Sequence, residues 1–299
     1  MQQQTDNYIV RATGFDGHVR AFAARTTTIL EGIRQSYDMW NTASAALGRT
    51  LTVTAIMGAM LKGEEKLTVV VKGGGPIGNI TCDANAKGEI RGYVTNPQVH
   101  FDLNELGKLD VRRAVGTDGS LFVTKDLGMR EPYQGSSPIV SGEIGEDFAY
   151  YFVTSEQTPS AVSVGVLVNP EDRSILGSGG FILQLLPGTP EEIITKLEER
   201  LKGLPQVSRM VAEGISPEEM IERVLENPKI LSRLDLEFKC TCSEEKVEGM
   251  LYSLGHEELG GMIEEQGEAE VHCNFCNQRY HYSKETLENI RADIQNSKK

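Results

Sequence analysis

The chemistry most plainly written into this 299-residue chain belongs to four cysteines near its C-terminal end. Cys240-Thr241-Cys242 and Cys273-Asn274-Phe275-Cys276 form two thiol pairs separated by 30 residues. Zinc accepts four thiolates tetrahedrally, and a Cys-x-x-Cys turn sets two sulfurs on one side of such an ion with backbone amides aimed at them. The Cys-x-Cys half is tighter than the usual zinc-ribbon half. His272 and His281 lie close in sequence, but four cysteines already fill the coordination shell. One zinc per chain, held by Cys240, Cys242, Cys273 and Cys276 in the reduced state, is the expectation. Metal-free buried cysteines and a labile thiol pair are the competing readings.

A sulfur tied into a disulfide is no longer a thiolate ligand, so oxidation removes the metal's donors. Each pair is local enough to close on itself. A 240–242 bridge needs a bend, because Cα atoms two apart in an extended strand lie near or beyond the limit of about 6.8 Å. The spacing permits a switch, and equally a passive structural zinc.

The elements around the cysteines sharpen the question. From Arg233 onward, Asp and Glu outnumber Lys and Arg by 14 to 8, and nine glutamates and one lysine separate Cys242 from Cys273. Glycines stand at 249, 255, 260, 261 and 267, and large apolar residues are few, so this stretch is expected to be unable to fold unaided. A structural zinc supplies roughly 10–16 kcal/mol of apparent binding free energy, against about 5–15 kcal/mol for a whole domain.

Upstream lie short helices. Thr189-Pro190-Glu191-Glu192 and Ser216-Pro217-Glu218-Glu219 read as capping boxes with Pro at the first helical position. Ile193, Leu197 and Leu201 mark one apolar face, and Met220 and Val224 another, with Gly203 placed to end the first helix. Val207, Met210 and Val211 suggest a third short helix between them, and three such helices have little core of their own and must dock on something. Ile193, Leu197, Leu201, Met220 and Val224 are the candidates for a binding surface when the helices are not docked.

The first part of the chain is mixed. Strands are expected at 8–12, 18–24, 67–72, 79–83, 89–95, 121–125, 161–169, 173–176 and 181–186, and helices at 28–37, 43–61 and 146–155. The pattern is that of an α+β protein whose N-terminal domain (1–178) has a mainly antiparallel sheet and helices. A helical linker (179–232) and a small C-terminal zinc-binding module (233–299) follow.

Other chemistry is poorly supported. A net charge of −13 with no basic run disfavours nucleic acid as a partner. Residues 73–78 match G-x-G-x-x-G, yet the continuation Asn79-Ile80-Thr81-Cys82 is strand-like where a dinucleotide fingerprint opens a helix. The expectation there is a tight turn between strands. Cys82 reads as a buried strand residue, and Trp40, Phe148, Tyr150, Tyr151 and Phe152 as core. The most apolar stretch, 51–61, is too short to span a bilayer, and no secretory signal is evident. A cytoplasmic protein without a membrane partner is expected, and not an enzyme.

Along essentially its whole length the chain resembles the redox-regulated 33-kDa heat-shock chaperones of bacteria. The cysteine pattern within Val271-His272-Cys273-Asn274-Phe275-Cys276 carries the likeness, supported by residues 73–78, Tyr133-Gln134-Gly135, Ser155-Glu156-Gln157, Gly179-Gly180-Phe181 and Leu186-Pro187-Gly188. What the resemblance implies is an ATP-independent holdase, inactive while reduced and zinc-bound. Oxidation would form the disulfides Cys240–Cys242 and Cys273–Cys276, release zinc, unfold the module and loosen the linker. The active form would be a homodimer that binds unfolding proteins. Two other classes stay open on the residues alone: a constitutive protein-interaction module with a purely structural zinc, and a thiol oxidoreductase using Cys273 and Cys276.

Overall fold

A computed structural model describes residues 6–105 and 107–296. The chain divides into two compact units, Met1–Lys239 and Cys240–Lys299. The expected boundaries at 178/179 and 232/233 fall instead within strands of the first unit.

In chain order the first unit contains β1 (Tyr8–Gly14), β2 (Val19–Arg25), α1 (Thr27–Tyr37), α2 (Asn41–Gly58), β3 (Lys66–Lys72), β4 (Asn79–Asn85) and β5 (Glu89–Val94). It continues with α3 (Val111–Val115), β6 (Ser120–Asp126), β7 (Tyr133–Pro138), α4 (Gly145–Thr154), β8 (Ser160–Val168) and β9 (Ile175–Leu185). Three short helices follow, α5 (Glu191–Lys202), α6 (Val207–Ala212) and α7 (Pro217–Val224), then β10 (Lys229–Asp235) and β11 (Glu237–Phe238). Two sheets result, in the orders β10-β1-β2-β9-β8 and β11-β5-β4-β3-β6-β7. All pairings in them are antiparallel except that of β11 with β5.

Helix α2 packs on strands of both sheets and is buried almost from end to end. Its buried threonines are satisfied within the helix: the Thr50, Thr52 and Thr54 hydroxyls donate to the carbonyls of Ala46, Gly48 and Thr50. That is why a helix rich in threonine can run through a core.

The five-stranded sheet carries helices on both faces. Cluster residues Phe22, Ala24 and Ile182 face α1 and α2, while Ala21, Ala23, Phe181 and Leu183 face α5, α6 and α7. Strand β9 is therefore buried on both sides, without the period-2 alternation of a half-exposed strand. The expectation of two strands at 173–176 and 181–186 is corrected here: one strand runs through Gly177-Ser178-Gly179-Gly180. These glycines are close-approach positions. A Cβ on Gly177 would stand 2.7 Å from the Ser208 carbonyl oxygen and 2.8 Å from the Ala212 nitrogen. One on Gly179 would stand 2.5 Å from the Ala24 oxygen. Helix α6 thus rests on a floor of bare backbone.

Polar contacts add to this docking. The Tyr8 hydroxyl donates to Glu218 Oε2 at 2.7 Å, the Arg233 guanidinium lies 3.5 Å from the Tyr8 ring centre, and Arg25 Nη2 donates to the Val211 carbonyl at 3.0 Å. Ser216 forms the expected capping box with Glu219. Thr189 does not cap α5: its hydroxyl donates to the Leu186 and His18 carbonyls, and the helix begins after Pro190. Gly203 ends α5 as expected.

The second unit holds α8 (Glu244–Leu254), α9 (His256–Glu265), the hairpin β12 (Ala269–His272) and β13 (Arg279–Tyr282), and α10 (Lys284–Asn296). Its buried residues are Val247, Leu251, Leu259, Ile263, Ala269, Tyr282, Leu287, Ile290 and Ile294. The expectation of a stretch without a core of its own is corrected in part. Between Cys242 and Cys273 apolar residues are sparse, but their i, i+4 spacing and three residues of α10 complete a small cluster.

Candidate metal centre

Cys240 and Cys242 lie in the irregular segment between β11 and α8. Ser243 then caps α8, its hydroxyl accepting from the Lys246 amide, and Lys246 Nζ donates to the Thr241 carbonyl at 2.5 Å. The short Cys-x-Cys strap is so fastened to the first turn of a helix.

Cys273 and Cys276 occupy the turn of the β12–β13 hairpin. The Cys273 amide donates to the Gln278 carbonyl and the Asn277 amide to the Cys273 carbonyl, both at 2.9 Å. Asn277 adopts φ 58°, a left-handed conformation that asparagine tolerates better than most residues. The turn directs the Gln278 amide at the Cys276 sulfur. From β13 Tyr280 packs against the core of the second unit beside the sulfurs.

All four sulfurs lie within 4.8 Å of one another. The shortest approaches join the two halves: Cys240 Sγ to Cys273 Sγ at 3.6 Å and Cys242 Sγ to Cys276 Sγ at 3.4 Å. Four sulfurs at about 2.3 Å from a central zinc stand about 3.8 Å apart. The donor set therefore fits one tetrahedral ion. None of the four cysteines is in a disulfide, and all are only partly exposed. Burial first, and then the crowding of Cys242, Cys240 and Cys273, pushes the Cys276 thiol well above its ordinary range. Hydrogen bonding to Cys242, followed by burial, moves the Tyr280 hydroxyl the same way. A bound cation would stabilise the thiolate form of such sulfurs.

The two histidines are engaged elsewhere. His272 Nε2 pairs with Glu270 Oε1 at 2.5 Å and His281 Nε2 with Glu268 Oε2 at 3.0 Å. Neither joins the sulfur cluster among the described residues. The fastening of the strap by Lys246 and the place of Tyr280 beside it were not legible in advance. A tyrosine four residues past the last cysteine points at the sulfurs only once a hairpin is known to fold it back.

Other singled-out residues fall as follows. Leu197, Met220 and Val224 are buried against the five-stranded sheet, and Ile193 and Leu201 are half-buried on the same cluster. Residues 73–78 connect antiparallel β3 and β4, opening no helix, and the Gly75 and Ile77 amides donate to the Val115 and Ala114 carbonyls. Cys82 is buried in β4, and burial pushes its thiol far up. Phe148, Tyr151 and Phe152 are core, but Trp40 and Tyr150 are 41% and 40% exposed. Trp40 precedes α2 in extended backbone, and its amide, bound to the Pro97 carbonyl, holds the chain there without burying the ring.

An α+β body followed by a unit that gathers four thiols around one point defines a metal-binding, thiol-rich class of protein. The chain belongs to the Hsp33 protein family, whose model matches residues 7–283. A relative from Brevibacillus brevis named 33 kDa chaperonin is 68% identical over 288 residues, covering 96% of this chain and 99% of the relative. The Bacillus subtilis protein of the same name is 57% identical over 286 residues, covering 95% and 98%. A solved structure of the 33 kDa chaperonin (heat shock protein 33 homolog) from Thermotoga maritima superposes with a TM-score of 0.91 at 36% identity, covering 98% of this chain and 100% of that one. No helix among the described residues is long and apolar enough to cross a membrane.

Proposed function

We propose that this protein is a redox-regulated, ATP-independent holdase of the cytoplasm, silent when reduced and zinc-bound and switched on by oxidation. The observation that carries this reading is the gathering of four cysteine sulfurs within 4.8 Å in a unit whose apolar core is small. Family membership and the names of the relatives support it. Bound zinc would keep Cys240, Cys242, Cys273 and Cys276 as thiolates and tie the β12–β13 turn to the Cys-x-Cys strap.

Oxidation would convert these ligands into the disulfides Cys240–Cys242 and Cys273–Cys276. Loop length supports this pairing, although the shortest sulfur separations join the halves. Once the cluster loosens, partners one or two residues apart stay neighbours, while those more than 30 apart in sequence drift away. With its ligands gone the second unit loses its principal staple, and α5, α6 and α7 loosen from the sheet. The apolar faces carrying Ile193, Leu197, Leu201, Met220 and Val224, with the sheet surface beneath them, then become the binding surface for unfolded proteins. A homodimer is the active form. Neither nucleic acid nor membrane is a partner, and no chemical turnover is involved.

One observation favours a second reading. The cluster around Leu259 and Leu287 gives the second unit a core besides the metal, as a constitutive interaction module with a purely structural zinc would require. Zinc content and free-thiol count, measured before and after peroxide under mild heat, decide together with suppression of client aggregation. The switch predicts one zinc per reduced chain, loss of zinc with four thiols, and aggregation suppressed only afterwards. Equal suppression by the reduced and oxidised forms would leave the constitutive module standing.

A further inference from the structure

A cavity of about 590 Å³ lies in the first unit, lined by residues of β8, α2, the segment after β5 and the opening of α6. Cavities of that volume hold small organic molecules. Asn41 and Arg49, eight positions apart on α2, both line it, and the helix rise sets them about 12 Å from each other. Each carries a buried polar atom without a hydrogen-bond partner, Oδ1 in Asn41 and Nε in Arg49. The Arg49 side chain is only 12% exposed, and its pairing with Glu143 Oε2, at 2.7 Å, goes through Nη1. A half-turn of the Asn41 amide would put its NH2 group where Oδ1 now lies, so both residues can donate. Buried polar groups are costly to leave unpaired, and these two points suit a ligand that is polar at both ends.

The charged lining gives the ligand its sign. Arg49, Lys108 and Arg209 stand against the single carboxylate of Asp102, a local excess of cations in a chain of net charge −13. The His100 ring, whose Nδ1 lies 3.3 Å from the Thr42 hydroxyl, is at the Asn41 end. Val164 and Val166 of β8 supply apolar wall. We propose that the cavity binds a linear dicarboxylate, with one carboxylate at Arg49, the other at Asn41 and His100, and an apolar body between them. Ser208 and Arg209 of α6 belong to the same lining, so the ligand is touched by that helix and by the body at once. It binds while α6 is docked and therefore opposes undocking by mass action. Its bearing on activation rests on the proposed release of the linker helices; binding itself does not.

The probes are suberate, octanoate and octanediol, equal in length with two, one and no charges, titrated by calorimetry into the reduced, zinc-loaded full chain. Suberate should bind one per chain, and each lost carboxylate should weaken binding about ten-fold. Asn41→Asp keeps the side-chain shape and suits the first turn of a helix. It should cost suberate about ten-fold and leave octanoate nearly unchanged. Arg209→Gln, at an exposed position on α6, should also weaken suberate and keeps the test open if Asn41→Asp folds poorly. At about ten times its Kd, suberate should slow amide exchange of residues 205–214 about ten-fold. Equal affinity for the three probes, suberate binding indifferent to both variants, or no binding at millimolar concentration overturns the site. Binding that leaves exchange of 205–214 unchanged overturns the hold on α6. Slowed exchange without delay of holdase activity under peroxide upholds the inference and refutes linker release instead.

Discussion

Gly177→Ala separates two events that oxidation would join, metal loss and release of the linker helices. The new methyl would lie 2.7 Å from the Ser208 oxygen and 2.8 Å from the Ala212 nitrogen, both backbone atoms at the two ends of α6. Neither can rotate away, so α6 must rise by about 0.7 Å to reach an ordinary contact of about 3.5 Å. Overpacking of this kind costs about 1–3 kcal/mol. At about 2 kcal/mol the undocked population of α6, which buries Val207, Met210 and Val211, grows about 30-fold. The cysteines are untouched. Amide hydrogen exchange of residues 205–214 in the reduced, zinc-loaded protein should therefore accelerate about 30-fold, and client aggregation should be partly suppressed without oxidant. Gly32→Ala is the control: nothing lies within 4 Å of its would-be Cβ on α1, and a gain of about 0.5–1 kcal/mol is expected. Unchanged exchange in a folded Gly177→Ala protein would refute the packing argument. Faster exchange with no gain of holdase activity would refute linker release as the activating step.

Three further outcomes are expected. After chelation, an aromatic disulfide reagent should titrate four thiols in the native protein, and Cys82 only after denaturant, because it is fully buried and its thiol pushed up. Burial, and then the hydrogen bond to Glu218, raises the Tyr8 hydroxyl to about 12 from an ordinary 10.0. The sign follows from a folded-state value above the unfolded one: this stability is whole below pH 10 and lost as pH rises through about 12. Urea melts of Tyr8→Phe should accordingly lack that alkaline loss. Leu259→Ala, at a fully buried position in the second unit, should cost about 2–5 kcal/mol and weaken metal retention, read by calorimetry and chelator competition.

The cysteine site could be read from residue type and spacing because thiolate coordination depends on little else. Most strands and helices were legible where one face is buried and the other wet, as along β3, whose burial alternates residue by residue. Legibility failed where that contrast vanishes. β9 is covered on both faces, so its glycines looked like a break although they are the seat of α6. β7 is mostly exposed and carries few apolar residues, so no pattern announced it. β10 is nearly all exposed, and its place beside β1 depends on a pairing more than 200 residues distant in sequence. The small core of the second unit was missed because α10 contributes to it from beyond the cysteines. Tyr280 was silent for the same reason, since only the hairpin folds it back against that core.

The pairing of β10 with β1 decides what kind of motion the linker can make. The helices α5 to α7 are entered from β9 and left through β10, and both strands belong to one sheet. Released from their seat, they form a closed loop held at both ends and not a free tail. Their return is a unimolecular event at the high local concentration that a short tether imposes. On the proposed mechanism, a client held by that loop would compete with the loop's own homecoming, so affinity and discharge would be two readings of one equilibrium. Strengthening the strand anchors should speed discharge without altering a single client contact.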